Sequence, residues 1–177
     1  MALSRLGKQV AEIVSVLNGM HVPFALIGGL ALVLHQVVRA TQDVDILVDA
    51  ENAEAIDQAL MKLGYRCLYR STEAGNYRRD DERFDLLYAS RPIARRLLAT
   101  AVERKTALGE LRVIGAEGLI GFKLQGWIND PRRTQDLEDI RALLRVHRAT
   151  LDMAEVCEYF RLFEREPLLD ELLRQID

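Results

Sequence analysis

The stretch Ile27–Val48, IGGLALVLHQVVRATQDVDILV, decides what kind of fold this chain adopts. It places Gly28 and Gly29 between a short apolar run and an apolar helix, and then puts Asp43 and Asp45 inside an apolar strand. Aspartate is depleted in strands, because a charged side chain packs poorly there. Two aspartates in one strand, with a single residue between them, therefore indicate a chemical role.

The two acids point to the same side of their predicted strand. Side chains alternate along a strand, so Asp43 and Asp45 share one face, and the other face is formed by Val44, Ile46 and Val48. Two carboxylates held side by side repel each other unless a cation joins them. Mg²⁺ takes one or two carboxylates together with phosphate oxygens of a substrate. The pattern therefore predicts a divalent metal site that serves phosphate chemistry.

A third acid, Asp85, interrupts a second apolar strand, ERFDLLYAS. If this strand lies beside the first, Asp85 faces the same space as Asp43 and Asp45. Three carboxylates on neighbouring strands can hold two metal ions, which stabilise the attacking and the leaving oxygen in phosphoryl transfer. Asp85 is also a candidate to accept the proton of an acceptor hydroxyl.

The glycine pair Gly28-Gly29 follows a predicted strand and opens a helix. Backbone N–H groups at such a turn can face an anion, and the missing Cβ atoms let phosphate oxygens come close. The sequence here is neither a P-loop nor the dinucleotide-binding pattern G-x-G-x-x-G. Taken singly, a Gly-Gly pair is usually a tight turn and a D-x-D is often a strand end. The ordered combination of glycines, paired acids and a later acid is what favours a functional site.

The order of the predicted elements indicates an α+β fold. An amphipathic helix comes first, strands and helices are mixed as far as about Ile114, and the rest of the chain is helical. YRCLYR predicts a strand, STEAGN a polar turn, and RKTALGELRVIG a hairpin that turns at Gly109. We therefore expect a core with its N-terminal helix in residues 1–114 and a helical C-terminal segment in residues 115–177.

Composition excludes several classes of protein. The chain has 177 residues, of which 49% are apolar, and no apolar run approaches the length of a membrane span. The N-terminal helix lacks the continuous apolar centre of a signal peptide, so a cytoplasmic protein is expected. The two cysteines, Cys67 and Cys157, and the three histidines are too scattered for a disulfide framework or a zinc site.

Charge is distributed unevenly around a formal net charge of −3. Residues 66–112 contain eleven Lys or Arg against seven Asp or Glu, whereas the rest of the chain is acidic. This basic stretch could serve a polyanionic acceptor such as tRNA, although a mixed-charge surface is the commoner explanation. Five aromatic residues in or beside it could stack on bases or pack in the core: Tyr65, Tyr69, Tyr77, Phe84 and Tyr88.

With these residues in place, the chain resembles the DNA-polymerase-β-like nucleotidyltransferase superfamily. In that superfamily a Gly-Gly or Gly-Ser turn and a D-x-D pair on the next strand are joined by a third acid on a later strand. The matching positions here are Gly28, Gly29, Asp43, Asp45 and Asp85. The resemblance implies a short mixed β-sheet packed with helices on one side, followed by a helical segment that closes the nucleotide cleft.

Further motifs are similar to small prokaryotic members grouped with abortive-infection toxins and minimal nucleotidyltransferases. The run Arg39-Ala40-Thr41 precedes the paired acids, and EGLIGFKLQGW resembles the E-x-L-I-x-x-K-L segment of that group. The resemblance implies that Lys123 lies near the nucleotide phosphates. TQDLEDIRALL is similar to the K-D-x-x-D-I segment, with Gln135 in place of its lysine and with Asp136 and Asp139 as its acids.

We therefore expect a metal-dependent enzyme that moves an NMP from an NTP to an acceptor hydroxyl and releases pyrophosphate. Two Mg²⁺ or Mn²⁺ ions would be held by Asp43, Asp45 and Asp85, which also carry the catalysis. The expected nucleotide-binding residues are Gly28, Gly29, Arg39, Thr41 and Lys123. A tRNA, a protein and a small molecule such as an antibiotic all stay open as acceptors, and a toxin–antitoxin or phage-defence role is among the options.

A second hypothesis belongs to another class: a catalytically silent binding module, such as an antitoxin or a regulatory partner. Three costly carboxylates brought together argue against it. Apolar residues of the last two helices could form a partner face, although such a stripe is more often core: Phe160, Leu162, Phe163, Leu168, Leu169, Leu172 and Leu173.

Overall fold

The computed structural model describes residues 4–176, which form seven strands and eight α-helices. In chain order these are α1 (Arg5–Gly19), β1 (Phe24–Leu26), α2 (Gly28–Leu34), β2 (Asp43–Asp49), α3 (Ala53–Lys62), β3 (Arg66–Arg70), β4 (Ala74–Arg79), β5 (Glu82–Ala89), α4 (Pro92–Ala99), β6 (Val102–Thr106), β7 (Gly109–Val113), α5 (Ala116–Asn129), α6 (Thr134–Val146), α7 (Met153–Leu162) and α8 (Glu166–Ile176). A 3₁₀ turn, Ala50–Asn52, joins β2 to α3.

The strands form one mixed sheet in the order β3-β4-β5-β2-β1-β7-β6. The central strand β2 pairs in parallel with β5 and antiparallel with β1, and β1 pairs in parallel with β7. The remaining pairs, β3 with β4, β4 with β5 and β6 with β7, are antiparallel. The predicted α+β class and mixed sheet are therefore confirmed.

Helix α1 forms because its sequence supplies both a cap and an apolar stripe. The side-chain oxygen of Ser4 accepts a hydrogen bond of 3.0 Å from the backbone N–H of Gly7, at the start of the helix. Val10, Ile13 and Leu17 are at most 1% exposed. Burial of each such side chain stabilises the fold by roughly 1.5–3 kcal/mol, which fixes α1 against β2 and α3.

One face of the sheet is apolar and buried, as the alternation in β2 predicts. Val44, Ile46 and Val48 are fully buried, and their register partners on β5 include the equally buried Phe84. Helix α3 lies on this side, because Arg70 of β3, whose neighbour on β4 is the buried Gly75, forms ion pairs with acids of α3. The other face of β2 and β5 is therefore the one that carries the aspartates.

The prediction of a polar turn at STEAGN was wrong, because half of this segment belongs to β4. Strand β4 pairs with β5 along its whole length, and the tight turn between them has Asp80 at φ 52°. Aspartate is one of the few residues that adopt this left-handed backbone region at little cost. The strand escaped recognition because charged and small residues hide its alternation.

The chain divides into two compact units, residues 4–31 with 39–114 and residues 32–38 with 115–176. In the second unit α5 packs against α6 and α7, and α8 packs against α6 and α7. The ring of His147 lies edge-on to that of His35 at 5.4 Å, and its Nε2 is 2.9 Å from the His35 carbonyl oxygen. Within residues 4–176, every helix is too short or too polar to cross a membrane.

The apolar stripe of the last two helices is mostly core. Phe160, Leu169 and Leu172 are buried, whereas Leu162 is 62% exposed. The aromatic residues of the basic stretch divide in the same way, since Tyr69 alone is exposed and four are buried: Tyr65, Tyr77, Phe84 and Tyr88.

Candidate active site

The pairing of β2 with β5 brings the predicted acids together. Asp45 and Asp85 are register partners in the parallel pair, and Asp43 lies two residues before Asp45 on β2. Strands that pair lie about 4.8 Å apart, and residues two apart share a face. All three carboxylates therefore leave the same face of two adjacent strands, here called the acid face. Each of the three residues is half-buried, so water can reach it.

Asn76 joins this face from the neighbouring strand β4. It is the register partner of Asp85, and its Nδ2 donates a 2.7 Å hydrogen bond to Asp85 Oδ1. The bond fixes how the Asp85 carboxylate is turned. Sequence reasoning missed Asn76, because it assigned this residue to a turn. The sequence did offer one signal for a strand here: Asn76 and Arg78 are both polar and lie two residues apart, as side chains on one face of a strand do.

The glycine turn is packed directly against this face. Gly28 has φ +64°, and a Cβ atom there would lie 2.1 Å from Asp45 Oδ2. A Cβ atom on Gly29 would lie 2.6 Å from Thr41 Oγ1. Thr41 Oγ1 in turn donates a 3.2 Å hydrogen bond to the backbone oxygen of Asp43. Both glycines are therefore required for Asp45 and Thr41 to occupy their positions.

The other two predicted nucleotide-binding residues are Arg39 and Lys123. Arg39 is half-buried in the connection before β2, four residues ahead of Asp43. Lys123 belongs to the second unit, where its Nζ lies 2.9 Å from Asp136 Oδ1 and 2.8 Å from Asp139 Oδ2. The ammonium of Lys123 thus neutralises two acids that are 3% and 2% exposed.

The opposite, apolar face of the first unit contains titratable groups whose pKa is raised. Burial raises the pKa of Tyr65 to about 12, and burial together with a hydrogen bond to Tyr88 raises the pKa of Tyr77 further. A hydrogen bond to Glu12 raises the pKa of Arg79, whose guanidinium stacks over the Tyr65 ring at 4.5 Å. These groups therefore keep their protons at neutral pH and pack within this face.

The acid face supplies the donor atoms that a hard divalent cation takes. All three side chains offer carboxylate oxygens, the ligands of Mg²⁺ in phosphate sites. Within residues 4–176, no group of three or more His, Cys, Asp or Glu side chains is placed so that it could hold a metal ion as it stands. The donor chemistry fits Mg²⁺, and Asp43, Asp45 and Asp85 are the residues that would hold it.

Comparison with known proteins agrees with this geometry. The sequence model of the aminoglycoside-2''-adenylyltransferase family matches residues 9–88, which include the glycine turn and all three acids. The solution structure of the antibiotic-resistance factor ANT(2'')-Ia superposes with a TM-score of 0.68, covering 97% of this chain and 97% of that one. The chain is therefore similar to this family over residues 9–88 and has a nucleotidyltransferase fold. These similarities agree with the predicted resemblance to the DNA-polymerase-β-like nucleotidyltransferases, and they confirm the predicted fold.

Other solved nucleotidyltransferases share the fold at low sequence identity. ANT(2'')-Ia is 16% identical in the solution structure and 18% identical in its crystal structure with adenylyl-2''-tobramycin, which has a TM-score of 0.67 and covers 91% of this chain and 98% of that one. The lincosamide antibiotic adenylyltransferase LnuA, bound to lincomycin, is 17% identical with a TM-score of 0.61, and 82% of this chain and 99% of that chain are covered. The curated proteins contain no match to this chain.

Proposed function

We propose that this nucleotidyltransferase moves an NMP from an NTP to a hydroxyl of a small molecule, in a reaction that depends on a divalent metal. The observation that supports this most strongly is the register of Asp45 with Asp85, with Asp43 on the same face. Two proteins with a similar fold have been solved with antibiotics: ANT(2'')-Ia with adenylyl-2''-tobramycin and LnuA with lincomycin. These comparisons favour a small-molecule acceptor over a tRNA or a protein.

The three acids would have different roles in metal binding, according to their positions. Asp43 and Asp45 would hold both metal ions, and Asp85 would hold the ion nearer the acceptor. Bound Mg²⁺ would neutralise the charge that grows on the phosphate oxygens in the transition state. Binding would draw Asp43, Asp45 and Asp85 toward a common centre, which their half-exposed positions on one face permit.

The transfer itself needs one proton acceptor. The acceptor oxygen attacks the α-phosphorus of the NTP, the bond from that phosphorus to the bridging oxygen of the β-phosphate breaks, and pyrophosphate leaves. Asp85 accepts the proton of the acceptor hydroxyl. Because Asn76 holds Oδ1 of Asp85, we assign the proton to Oδ2.

The remaining predicted residues would bind the nucleotide. The turn at Gly28 and Gly29 would lie against the triphosphate, with Arg39 and Thr41 beside it. A phosphate contact by Lys123 stays a prediction, since its ammonium already neutralises two buried acids.

The test is transfer of label. The purified protein is incubated with Mg²⁺, each α-labelled NTP and a panel of hydroxyl compounds that includes lincomycin, tobramycin and sugar phosphates. We expect a labelled small molecule and equimolar pyrophosphate with the native chain, and neither with Asp85→Asn. Absence of transfer to every acceptor, with no metal-dependent NTP binding, would replace this proposal by the binding-module hypothesis.

A further inference from the structure

Three arginines form a row across the acid face. Arg66 of β3 is the register partner of Arg78 on β4, and Arg78 is the partner of Arg83 on β5. Arg83 in turn is the partner of Asp43 on β2. Register partners in adjacent strands point to the same side, about 5 Å apart. The arginine row, Arg66, Arg78 and Arg83, therefore lies on the acid face and ends at Asp43.

The guanidinium groups of this row form no ion pairs with the described residues. All three side chains are exposed, and none lies within 4.0 Å of an acid in residues 4–176. The neighbouring acids of the β4–β5 turn have other partners, since Asp81 pairs with Arg5 and Glu82 with Arg79. Like charges placed opposite each other on a sheet destabilise it. A bound anion would remove that cost.

One arginine of the row is already oriented. Arg78 Nε donates a 2.7 Å hydrogen bond to the backbone oxygen of Asp80, which holds the guanidinium in place and leaves its two terminal nitrogens for a ligand. Two parallel N–H donors are the arrangement with which arginine binds phosphate or carboxylate.

A second row places one aromatic ring beside the arginines. Tyr69 is the register partner of Asn76, so one line across the sheet runs from Tyr69 through Asn76 and Asp85 to Asp45. The irregular register between Cys67 and Tyr69 is what turns Tyr69 to this face. The Tyr69 side chain is 59% exposed and presents a flat ring to the solvent.

We propose that the arginine row binds an anionic group, a phosphate or a carboxylate, of the acceptor whose hydroxyl lies at Asp85, with Tyr69 packed against the acceptor ring. This inference rests on the proposed function. Arg83 and Asp85 are two residues apart on one strand, about 6.6 Å. The acceptor therefore carries its hydroxyl and its anionic group roughly that far apart, which suits a phosphorylated or acidic sugar.

The same geometry disfavours two other acceptors. Tobramycin carries several ammonium groups at neutral pH, which three exposed guanidinium groups repel. A nucleic acid strand presents phosphates over a longer path than the row, which spans two strand spacings or about 10 Å. One anionic group is opposite in charge to the row and fits within its length.

Binding without turnover tests the inference separately from catalysis. Glucose 6-phosphate, glucuronate, glucose, tobramycin and a single-stranded RNA are titrated into the native chain by calorimetry at low salt. The double variant Arg78→Gln/Arg83→Gln removes two charges of the row. Its matched control, Arg104→Gln/Lys105→Gln, removes two exposed charges from β6 at the far edge of the sheet. The affinity for ATP is measured for all three proteins.

We expect at least one anionic sugar, glucose 6-phosphate or glucuronate, to bind. We expect no binding of glucose or tobramycin. Loss of the row should weaken that binding about tenfold or more, whereas the control should change it less than twofold and ATP affinity should change little. The inference is overturned by tighter binding of tobramycin or RNA, by failure of both anionic probes, or by an equal loss of ATP affinity, which would assign the row to the triphosphate. Because no outcome needs transfer, a failure of the proposed function would not mimic a failure here.

Discussion

Two groups of acids in this chain have opposite surroundings. Asp43, Asp45 and Asp85 of the first unit are half-buried on one face of the sheet. Asp136 and Asp139 of the second unit are buried and ion-paired with Lys123 at 2.8–2.9 Å. A carboxylate in a folded interior needs a cation from the chain itself. A half-exposed carboxylate can take its cation from solution, which is what a metal-dependent reaction requires.

The largest effect should come from Asp43→Asn. Removal of one metal ligand costs several kcal/mol of transition-state stabilisation, so transfer should fall about a thousandfold or more. Asp49→Asn is the matched control, since Asp49 ends the same strand. Its side-chain oxygen accepts a hydrogen bond from the backbone N–H of Glu51 and so caps the 3₁₀ turn, a role that asparagine also performs. Steady-state transfer and thermal unfolding are measured together. Equal losses in the two variants would remove the distinction between the acids.

Lys123→Met should act on stability instead. It leaves Asp136 and Asp139 buried without this cation, and we expect the free energy of unfolding to fall by about 3–5 kcal/mol. Urea unfolding measures this, with the exposed Lys105→Met as control.

A triple variant sharpens the assignment. Neutralising both acids, in Lys123→Met/Asp136→Asn/Asp139→Asn, should restore much of the lost stability. If Lys123→Met were fully stable and only raised the KM for NTP, Lys123 would belong to the nucleotide site and the comparison between the two groups of acids would fail.

Gly28→Ala tests whether Asp45 is held by the glycine turn. Gly28 and Gly109 both have positive φ, at +64° and +101°, but only a Cβ atom on Gly28 would overlap Asp45, since one on Gly109 has no atom within 4 Å. Backbone strain is therefore common to both alanine variants. We expect Gly28→Ala to be the less stable by about 1–3 kcal/mol and to lose transfer. Similar unfolding curves would show that the overlap is relieved cheaply.

The smallest effect concerns the buried face at high pH. The folded pKa of Tyr65 is about 12, above its ordinary value of 10.0, because burial disfavours the phenolate. Its contribution is complete below pH 10 and is lost as the pH rises toward 12. Urea unfolding at pH 9, 10 and 11 should show a shallower loss of stability in Tyr65→Phe than in the native chain. The exposed Tyr69→Phe should follow the native chain, and identical slopes in all three would contradict the assignment.

Much of the acid face was predictable from local sequence. Aspartate is unusual inside an apolar strand, and Asp43, Asp45 and Asp85 all occur in such strands. These three positions could therefore be identified without any knowledge of strand pairing. The glycine turn was predictable as well, but its packing reason was not, because it depends on where Asp45 and Thr41 lie in space.

Features that depend on register could not be predicted. Asn76 and the arginine row meet the acids only through the pairing of β4 with β5 and of β3 with β4, and one irregular position decides the side on which Tyr69 lies. The ion pairs of Lys123 likewise join two helices separated by the break at Asp130-Pro131. Residue type alone left Lys123 equally suited to a phosphate and to a buried acid.

We expect the half-exposed acids to take a divalent cation from solution. Electron paramagnetic resonance with Mn²⁺ and a non-hydrolysable NTP measures this directly, in the native chain, Asp45→Asn and Asp49→Asn. We expect nucleotide-dependent Mn²⁺ binding in the native chain and in Asp49→Asn, and its loss in an Asp45→Asn protein that is still folded. Mn²⁺ binding that Asp45→Asn leaves unchanged, or no binding by the native chain, would contradict it.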